Sequence, residues 1–234
     1  MRGTIDYAGQ SIAYQARHSS RKTLAISVRP DGAVEIVAPE GTGQKVIELR
    51  LRRKASWVIE QRRYFEQFRP RTPPRRFVGG ETHLYLGRQY RLKIQSGEIE
   101  RVCLKRGWIE IALKDDANRD RIRSLLFSWY RDRSREKLTE RFNLVTSRFA
   151  RVSRQKPRLA IMPMRRRWGS FSASGRISLN VDLIRAPLPC IDYVIVHELA
   201  HARHPNHGRA FFDLLSTMMP DWEKRKTLLE RMLA

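Results

Sequence analysis

The sequence predicts an α+β protein, in which a strand-rich N-terminal part with one helix precedes a helical C-terminal part with a small antiparallel sheet. Two patterns predict this class. Before residue 114, short stretches of alternating apolar and polar residues are separated by glycine-containing turns. After residue 117, apolar residues recur three and four positions apart, as on the buried face of a helix. The chain has 234 residues, 41% of them hydrophobic, so it can bury a sizeable core, and we predict two regions, 1–115 and 116–234.

The N-terminal region is predicted to contain a hairpin, a helix and a meander. The hairpin pairs Thr23–Val28 with Val34–Ala38 around the turn Pro30-Asp31-Gly32. A basic helix follows over about Gln44–Phe68, and a connector rich in proline and arginine, residues 69–77, leads out of it. The meander has four predicted strands, at residues 82–86, 90–94, 101–104 and 108–113. No internal repeat is recognisable in the sequence.

The C-terminal region opens with a long predicted helix over about Asn118–Ala150, whose apolar residues include Ile122, Leu126 and Trp129. Strands are predicted at residues 158–164 and 176–181. Three further helices complete the region. The first ends before residue 204, the second begins after residue 208 and the third spans about residues 221–233.

The motif His197-Glu198-Leu199-Ala200-His201 predicts a metal site with a built-in base. Helical positions four apart lie on one face, about 40° apart, so two imidazoles can bind one ion. Pro205 disfavours helical geometry at the preceding residue, so the helix is expected to end near Arg203. His207 can then turn back as a third ligand, which leaves the open position that a catalytic zinc needs. Glu198 can deprotonate a water whose pKa the metal lowers to about 7.

Several segments resemble one protein family, the YgjP-like metallopeptidases, which are more distantly related to the SprT-like and WLM proteases. They are Arg167-Trp168-Gly169-Ser170, Ile177-Ser178-Leu179-Asn180, Tyr193 to His201, His204-Pro205-Asn206-His207, Gly80-Glu81, Tyr85-Leu86-Gly87 and Tyr90-Arg91-Leu92. The resemblance implies a zincin-like catalytic domain at residues 116–234, with His197, His201 and His207 as Zn²⁺ ligands and Glu198 as base. The family usually has cysteine after Trp-Gly-Ser, whereas this chain has Phe171.

These observations predict a zinc-dependent hydrolase, foremost a metallopeptidase acting on peptides or proteins. In zincin architectures an extended substrate pairs with a strand above the metal helix, and the strand from Ile177 to Val181 is the expected one. Arg165, Arg167, Asn180 and His204 are the candidate substrate contacts. His204 is otherwise interpreted as a turn residue or as a partner that orients a ligand.

Two other functions stay open at this stage. The same activated water could attack phosphorus, with Arg165, Arg166 and Arg167 binding phosphates. The chain would then be a nucleotide pyrophosphohydrolase, and YgjP-like proteins have been linked with UTP. Against it, the sequence has no glycine-rich phosphate loop and no acidic cluster for a second metal. The other alternative is a basic binding module with structural zinc, but such a site has no use for Glu198.

The charge and the cysteines bear on partners and location. The chain has 47 Lys and Arg against 24 Asp and Glu, a net charge of +23, which favours polyanions such as nucleic acid unless it reflects compositional bias. Cys103 and Cys190 are expected to be two buried free thiols in a reducing compartment, and a single disulfide between them is the alternative. No apolar run approaches the ~20 residues of a membrane span, and no signal-peptide core is present. We therefore expect a cytoplasmic protein with no membrane partner.

Overall fold

The α+β class is confirmed by the computed structural model, which describes residues 1–29, 31–67, 75–114, 118–152, 156–165 and 167–233. The chain divides into two compact units, residues 1–72 and 73–233. No helix in the described ranges is long and apolar enough to cross a membrane. Cys103 and Cys190 are both free, as predicted.

The first unit is a four-stranded sheet with two helices. Its elements are β1 (Arg2–Tyr7), β2 (Gln10–Ser19), β3 (Ala25–Val28), β4 (Val34–Pro39), α1 (Gln44–Arg53) and α2 (Ala55–Glu66). The β3–β4 hairpin is confirmed, although Pro30 lies outside the described residues, and β1 and β2 were not predicted. One helix was predicted over these residues, but the structure has two, because the backbone of Lys54 leaves helical geometry with φ −111° and ψ 9°. Ile12, Ile36 and Leu51 lie in the core shared by the sheet and the helices.

The second unit begins with another four-stranded sheet. Its strands are β5 (Thr82–Tyr85), β6 (Arg88–Ser96), β7 (Arg101–Lys105) and β8 (Trp108–Leu113). The four strands were predicted at these places, but the meander was wrong: the order is β5-β6-β8-β7, and β6 runs parallel to β8. The reason is burial. The apolar strand β8 buries Ile109 and Ile111 at the centre, while β7 keeps its charged ends exposed at the edge.

The two sheets repeat one topology, which the sequence did not reveal. Each consists of a hairpin, a parallel crossover and a second hairpin, in the orders β1-β2-β4-β3 and β5-β6-β8-β7. The first hairpin of each turns through a residue pair with positive φ, Ala8-Gly9 in one sheet and Leu86-Gly87 in the other. The shared features are strand order, strand direction and turn geometry rather than side-chain identity, so the repeat escapes a search for similar residues.

The second sheet packs on the long helix α3 (Arg119–Arg148). Leu92 and Ile111 of the sheet share one apolar cluster with Ile122 and Leu126 of α3 and with Ile184. This cluster explains why residues 82–113 belong to the same compact unit as the C-terminal helices. The division into a strand-rich region at 1–115 and a catalytic domain at 116–234 stays a prediction.

The rest of the second unit surrounds the predicted metal helix. Its elements are β9 (Arg158–Met162), β10 (Gly169–Phe171), β11 (Arg176–Asn180), a 3₁₀ helix (Val181–Arg185), α4 (Leu188–Ala200), α5 (Arg209–Met218) and α6 (Trp222–Leu233). The small sheet is mixed, which corrects the antiparallel prediction: β10 and β11 form a hairpin, but β9 runs parallel to β11. The cause is that β11, with four buried residues, lies at the centre of the sheet, with β9 on one side and β10 on the other. β9 and β10 run in opposite directions, so only one of them can be antiparallel to β11.

The turn between β5 and β6 anchors this sheet beside the start of α4. The backbone N–H of Leu86 donates to Ile184 O and that of Gly87 to Arg185 O, both at 2.9 Å. A Cβ atom at Gly87 would lie 2.6 Å from Pro187 Cγ and 3.0 Å from its Cα. Only glycine therefore fits here, both for its φ of +79° and for the closeness of Pro187.

We expect Gly87→Ala to destabilise the protein more than Gly9→Ala does. Both substitutions place a side chain at a positive φ, which costs about 1–2 kcal/mol. At Gly87 the new methyl group also collides with Pro187, and such overpacking adds about 1–3 kcal/mol. Gly9 has open space around it, so its substitution carries no such cost. Thermal unfolding of the two full-length variants measures the difference. Equal losses would contradict the anchoring role of this turn.

Candidate metal centre

The helix α4 carries His197, and His201 follows its last residue as the C-cap, with backbone angles that are still helical (φ −63°, ψ −17°). It begins just after Pro187, and Pro189 lies in its first turn, where a missing N–H costs nothing. It is buried on most sides, with nine buried residues that include Glu198. Its last residue is Ala200, three residues earlier than predicted, and a tight turn follows in which Arg203 N donates to Ala200 O. This turn redirects the chain before Pro205.

Three imidazoles converge where the chain returns. His197, His201 and His207 form the one group among the described residues whose ligand atoms suit a metal ion, and these atoms lie within 4.8 Å of one another. The Nε2 atoms of His197 and His207 are 3.0 Å apart. Zinc–nitrogen bonds of about 2.0–2.1 Å in a tetrahedral site would separate the nitrogens by about 3.3 Å. The three side chains therefore fit a zinc ion.

The protonation and orientation of the histidines also suit a metal. Burial, followed by the neighbouring histidines, lowers the pKa of His197 to about 3, so its imidazole is neutral, as a ligand must be. Burial also lowers the pKa of His207. His201 Nδ1 lies 3.0 Å from the carbonyl oxygen of His204, to which it can donate a proton. That hydrogen bond leaves Nε2 of His201 to face the other two rings.

Phe211 forms the floor beneath the three histidines. Its ring is fully buried, and its centroid lies 5.0 Å from that of His197 and 4.7 Å from those of His201 and His207. It comes from α5, which begins two residues after His207. The packing restricts the rotamers of all three ligands. Phe211 was not singled out from the sequence, because no sequence feature shows which rings it touches.

Glu198 faces the small sheet from the next position of α4. It is 6% exposed, and burial raises the pKa of its carboxyl to about 7, against the opposing effects of the Phe171 N–H and of Arg167. The backbone N–H of Phe171 donates a hydrogen bond to this carboxylate. A carboxyl group held this way, beside three metal ligands, is suited to act as a general base near neutral pH.

Gly169 sets the distance between β10 and Glu198. A Cβ atom there would lie 2.8 Å from Glu198 Cγ, 2.9 Å from its Oε1 and 3.0 Å from Val194 Cγ1. Real side chains essentially never approach so closely. The glycine of the Trp-Gly-Ser motif is thus required where the strand passes over the carboxylate, a role that the sequence reasoning did not assign.

We expect Gly169→Ala to lower activity by at least about 10-fold while metal binding persists, since small displacements of a catalytic group are costly. The new methyl group must displace Glu198, and no histidine is among the three atoms nearest to it. Gly208→Ala is the matched control, because Gly208 has open space and a φ of −86°. Turnover and metal content should be measured together. Unchanged turnover in Gly169→Ala would contradict this positioning role.

A cavity of about 500 Å³ opens over these groups. The three histidines and Glu198 form one side of it, and β10 with residues 167 and 168 forms another. Tyr193 and Trp168 supply aromatic walls, and Phe171 lines it as well. The cavity is therefore mainly apolar around a polar centre, as is usual for sites that take a small ligand or a side chain.

The candidate substrate contacts fall in different places. Arg167 is exposed and lines the cavity, whereas Arg165 is exposed but does not line it, and Arg166 lies outside the described residues. Asn180 is buried, and its amide donates to Met164 O and Arg167 O, each at 2.9 Å. It holds the segment before β10 and does not line the cavity. His204 contributes its backbone carbonyl to His201.

The strand beside the cavity is β10, not β11, because β11 is paired on both sides. Asn180 N donates to Trp168 O and Ser172 N donates to Arg176 O, both at 2.9 Å. Hydrogen-bonded pairs alternate along an antiparallel ladder, so the backbone groups of Gly169 and Phe171 point away from β11. The Phe171 N–H meets Glu198. The expected substrate-pairing edge therefore moves from residues 177–181 to β10.

Comparison with known proteins places the chain among metallopeptidases. A family model described as the YgjP-like metallopeptidase domain matches residues 22–232. Two solved structures are metallopeptidase zymogens: jannalysin of Methanocaldococcus jannaschii (20% identity, 42% of this chain and 97% of that chain, TM-score 0.37) and abylysin of Pyrococcus abyssi (18%, 41% and 91%, TM-score 0.35). These TM-scores are too low to transfer any property. No curated protein was found to match.

Proposed function

The chain belongs to the YgjP-like metallopeptidase family, and from this premise we propose that it is a zinc-dependent endopeptidase. The observation that carries the proposal is the convergence of His197, His201 and His207 beside the buried carboxyl of Glu198. Zinc held by three imidazoles would polarise a carbonyl group and acidify a water, which is the chemistry that peptide hydrolysis needs.

Glu198 is the proposed general base. It accepts a proton from the attacking water and later returns a proton to the leaving amine nitrogen. A pKa of about 7 suits a group that must both take and release a proton near neutral pH. The Phe171 N–H holds one oxygen of this carboxyl, and Gly169 lets the strand lie close enough for that bond.

The edge of β10 is the proposed place for the substrate backbone. The N–H and C=O of Gly169 and the C=O of Phe171 point away from β11, and among the described residues they have no hydrogen-bond partner. An extended peptide can pair with these groups as an added strand. Its side chains would then meet the apolar walls that Trp168 and Tyr193 provide.

A nucleotide pyrophosphohydrolase remains the second candidate. One observation favours it: Arg167 and Trp168 both line the cavity, so that a phosphate and a base could bind in the same cavity. The other two arginines of the predicted cluster add no support, since Arg165 lies outside the cavity lining and Arg166 outside the described residues. Binding of nucleic acid by the basic surface also stays a prediction.

One experiment separates the two candidates. The zinc-loaded protein and its Glu198→Gln variant are incubated with a peptide library and with nucleoside triphosphates, with and without DNA. New peptide termini that the variant does not produce would support the peptidase. Pyrophosphate release with that same dependence on Glu198 would support the alternative. A protein that carries out neither reaction would contradict both proposals.

A further inference from the structure

The first compact unit has a cavity of its own, of about 650 Å³. Residues of β3, of α1 and of α2 line it, together with neighbouring loop residues. Its apolar lining includes Leu24, Ile26, Val46 and Trp57. Val46 is 51% exposed and Trp57 is 37% exposed, so two exposed apolar side chains line the same cavity. None of the residues of the candidate metal centre belongs to this cavity.

The rim of the cavity is cationic. Lys22, Arg50 and Lys54 line it, all three exposed, and no Asp or Glu is among the lining residues. Their long side chains combine an aliphatic stem with a charged end, so the stems extend the apolar surface while the charges face outward. This combination favours a ligand that carries an apolar group with carboxylates on both sides of it.

The edge of β3 lies beside this cavity and has backbone groups that do not pair within the sheet. β3 is an edge strand of its sheet, and it pairs only with β4. Arg29 N donates to Ala33 O at 2.8 Å, and the register then assigns Ala25 and Ser27 to hydrogen-bonded pairs with β4. The N–H and C=O groups of Ile26 and Val28 therefore point outward. Among the described residues they have no hydrogen-bond partner.

We propose that the edge of β3 and this cavity form a docking site for an extended acidic peptide segment of a partner or substrate protein. The segment adds a strand alongside Ile26 and places one apolar side chain against Trp57. Side chains two residues before and after it point to the same face, and as carboxylates they reach the cations of the rim. Backbone pairing gives affinity, and the charge pattern gives selectivity.

A peptide fits this surface better than a nucleic acid does. Proteins that bind single strands without sequence preference stack successive bases on successive aromatic rings. Here Trp57 is the one aromatic residue of the lining, and the rest of the floor is aliphatic. The outward N–H and C=O groups along β3 match a peptide backbone, which offers both donors and acceptors, whereas a phosphate backbone offers only acceptors.

The test measures binding to the full-length protein carrying Glu198→Gln, so that the probe is not cleaved. The probe is a fluorescein-labelled peptide, Thr-Glu-Thr-Leu-Thr-Glu-Thr, followed by fluorescence anisotropy. In a strand this peptide presents leucine and both glutamates on one face. We expect binding that weakens at least about 10-fold when both glutamates are replaced by lysine, because opposite charges would then become like charges. A labelled oligothymidylate of similar length is measured beside it.

Variants of the protein locate the site. Arg50→Glu with Lys54→Glu should weaken binding of the acidic peptide at least about 10-fold, whereas Arg53→Glu, exposed on the same helix but outside the cavity, should change it less than about twofold. Ile26→Pro removes one outward N–H and should weaken binding more than Ile26→Ala, which keeps it. If Ile26→Pro does not fold, the charge variants decide.

Three results would overturn the proposal. They are no measurable binding of the acidic peptide, equal effects of the Arg50/Lys54 and Arg53 variants, and tighter binding of the oligothymidylate with the same dependence on Arg50 and Lys54. The last would identify the surface as a nucleic-acid site. Because the readout is binding and the variants lie outside the metal centre, these results are independent of the proposed enzymatic function.

Discussion

Glu198→Gln is expected to abolish hydrolysis, with a loss of about 10²–10⁴-fold in kcat, while zinc binding is retained. Glutamine has nearly the same size and can still accept the hydrogen bond from the Phe171 N–H, so the local packing around Gly169 persists. What it cannot do is take a proton from water. The measurement is turnover on the substrate found by the library experiment, beside metal analysis of the same sample.

Glu223→Gln is the control for this substitution, because Glu223 is exposed on α6 and does not line the cavity. It should turn over substrate as the parent protein does. Near-normal turnover in the Glu198→Gln variant would remove Glu198 from the role of base. Loss of zinc together with activity would mean that the carboxyl acts on the metal site itself.

His207→Ala is expected to weaken zinc binding by at least about 100-fold, more than the ~10–100-fold that follows when a ligand loses its hydrogen-bonding partner. Two imidazoles from one helix would remain, and two ligands do not complete a protein zinc site. Competition with a chromophoric chelator gives the affinity. At limiting zinc, activity should fall together with zinc content, because the proposed reaction needs a water at the open coordination position of the ion.

His204→Ala is the matched control, since it removes a histidine three residues away and leaves the backbone carbonyl that His201 contacts. Its zinc affinity should stay close to that of the parent protein. Unchanged affinity in His207→Ala would move the third ligand elsewhere. Asp213 and Glu223 lie on the two helices that follow, but among the described residues neither belongs to the histidine group.

Local features of the fold were predictable because they depend on neighbours in the sequence. The alternation in residues 82–113 predicted four strands, and the turn pairs with glycine placed the hairpins. The three-and-four spacing after Asn118 predicted α3. What failed was the strand order of the second sheet and the strand direction of the small sheet. Order depends on which strand buries most apolar surface, and β8 and β11 take the centre for that reason.

In the candidate site, too, local spacing was predictable and tertiary contacts were not. The spacing of His197, Glu198 and His201 is a property of one helix, so helical geometry alone puts two ligands on one face and the carboxyl beside them. His207 needed only a short turn. Asn180, by contrast, was predicted to contact substrate, yet its buried amide holds backbone carbonyls of the segment before β10. Nothing in a linear pattern distinguishes these two uses of an amide.

The sequence by itself predicted the α-helices, apart from the break at Lys54, and most of the strands, together with a candidate ligand set and base, because each depends mainly on residues close together in the chain. Only the tertiary structure decided that Phe211 supports the three imidazoles, that Gly169 touches Glu198 and that β10 offers its edge to the cavity. These contacts join residues that belong to different elements. Their geometry follows from how whole elements pack to bury apolar surface, and no local propensity encodes that packing.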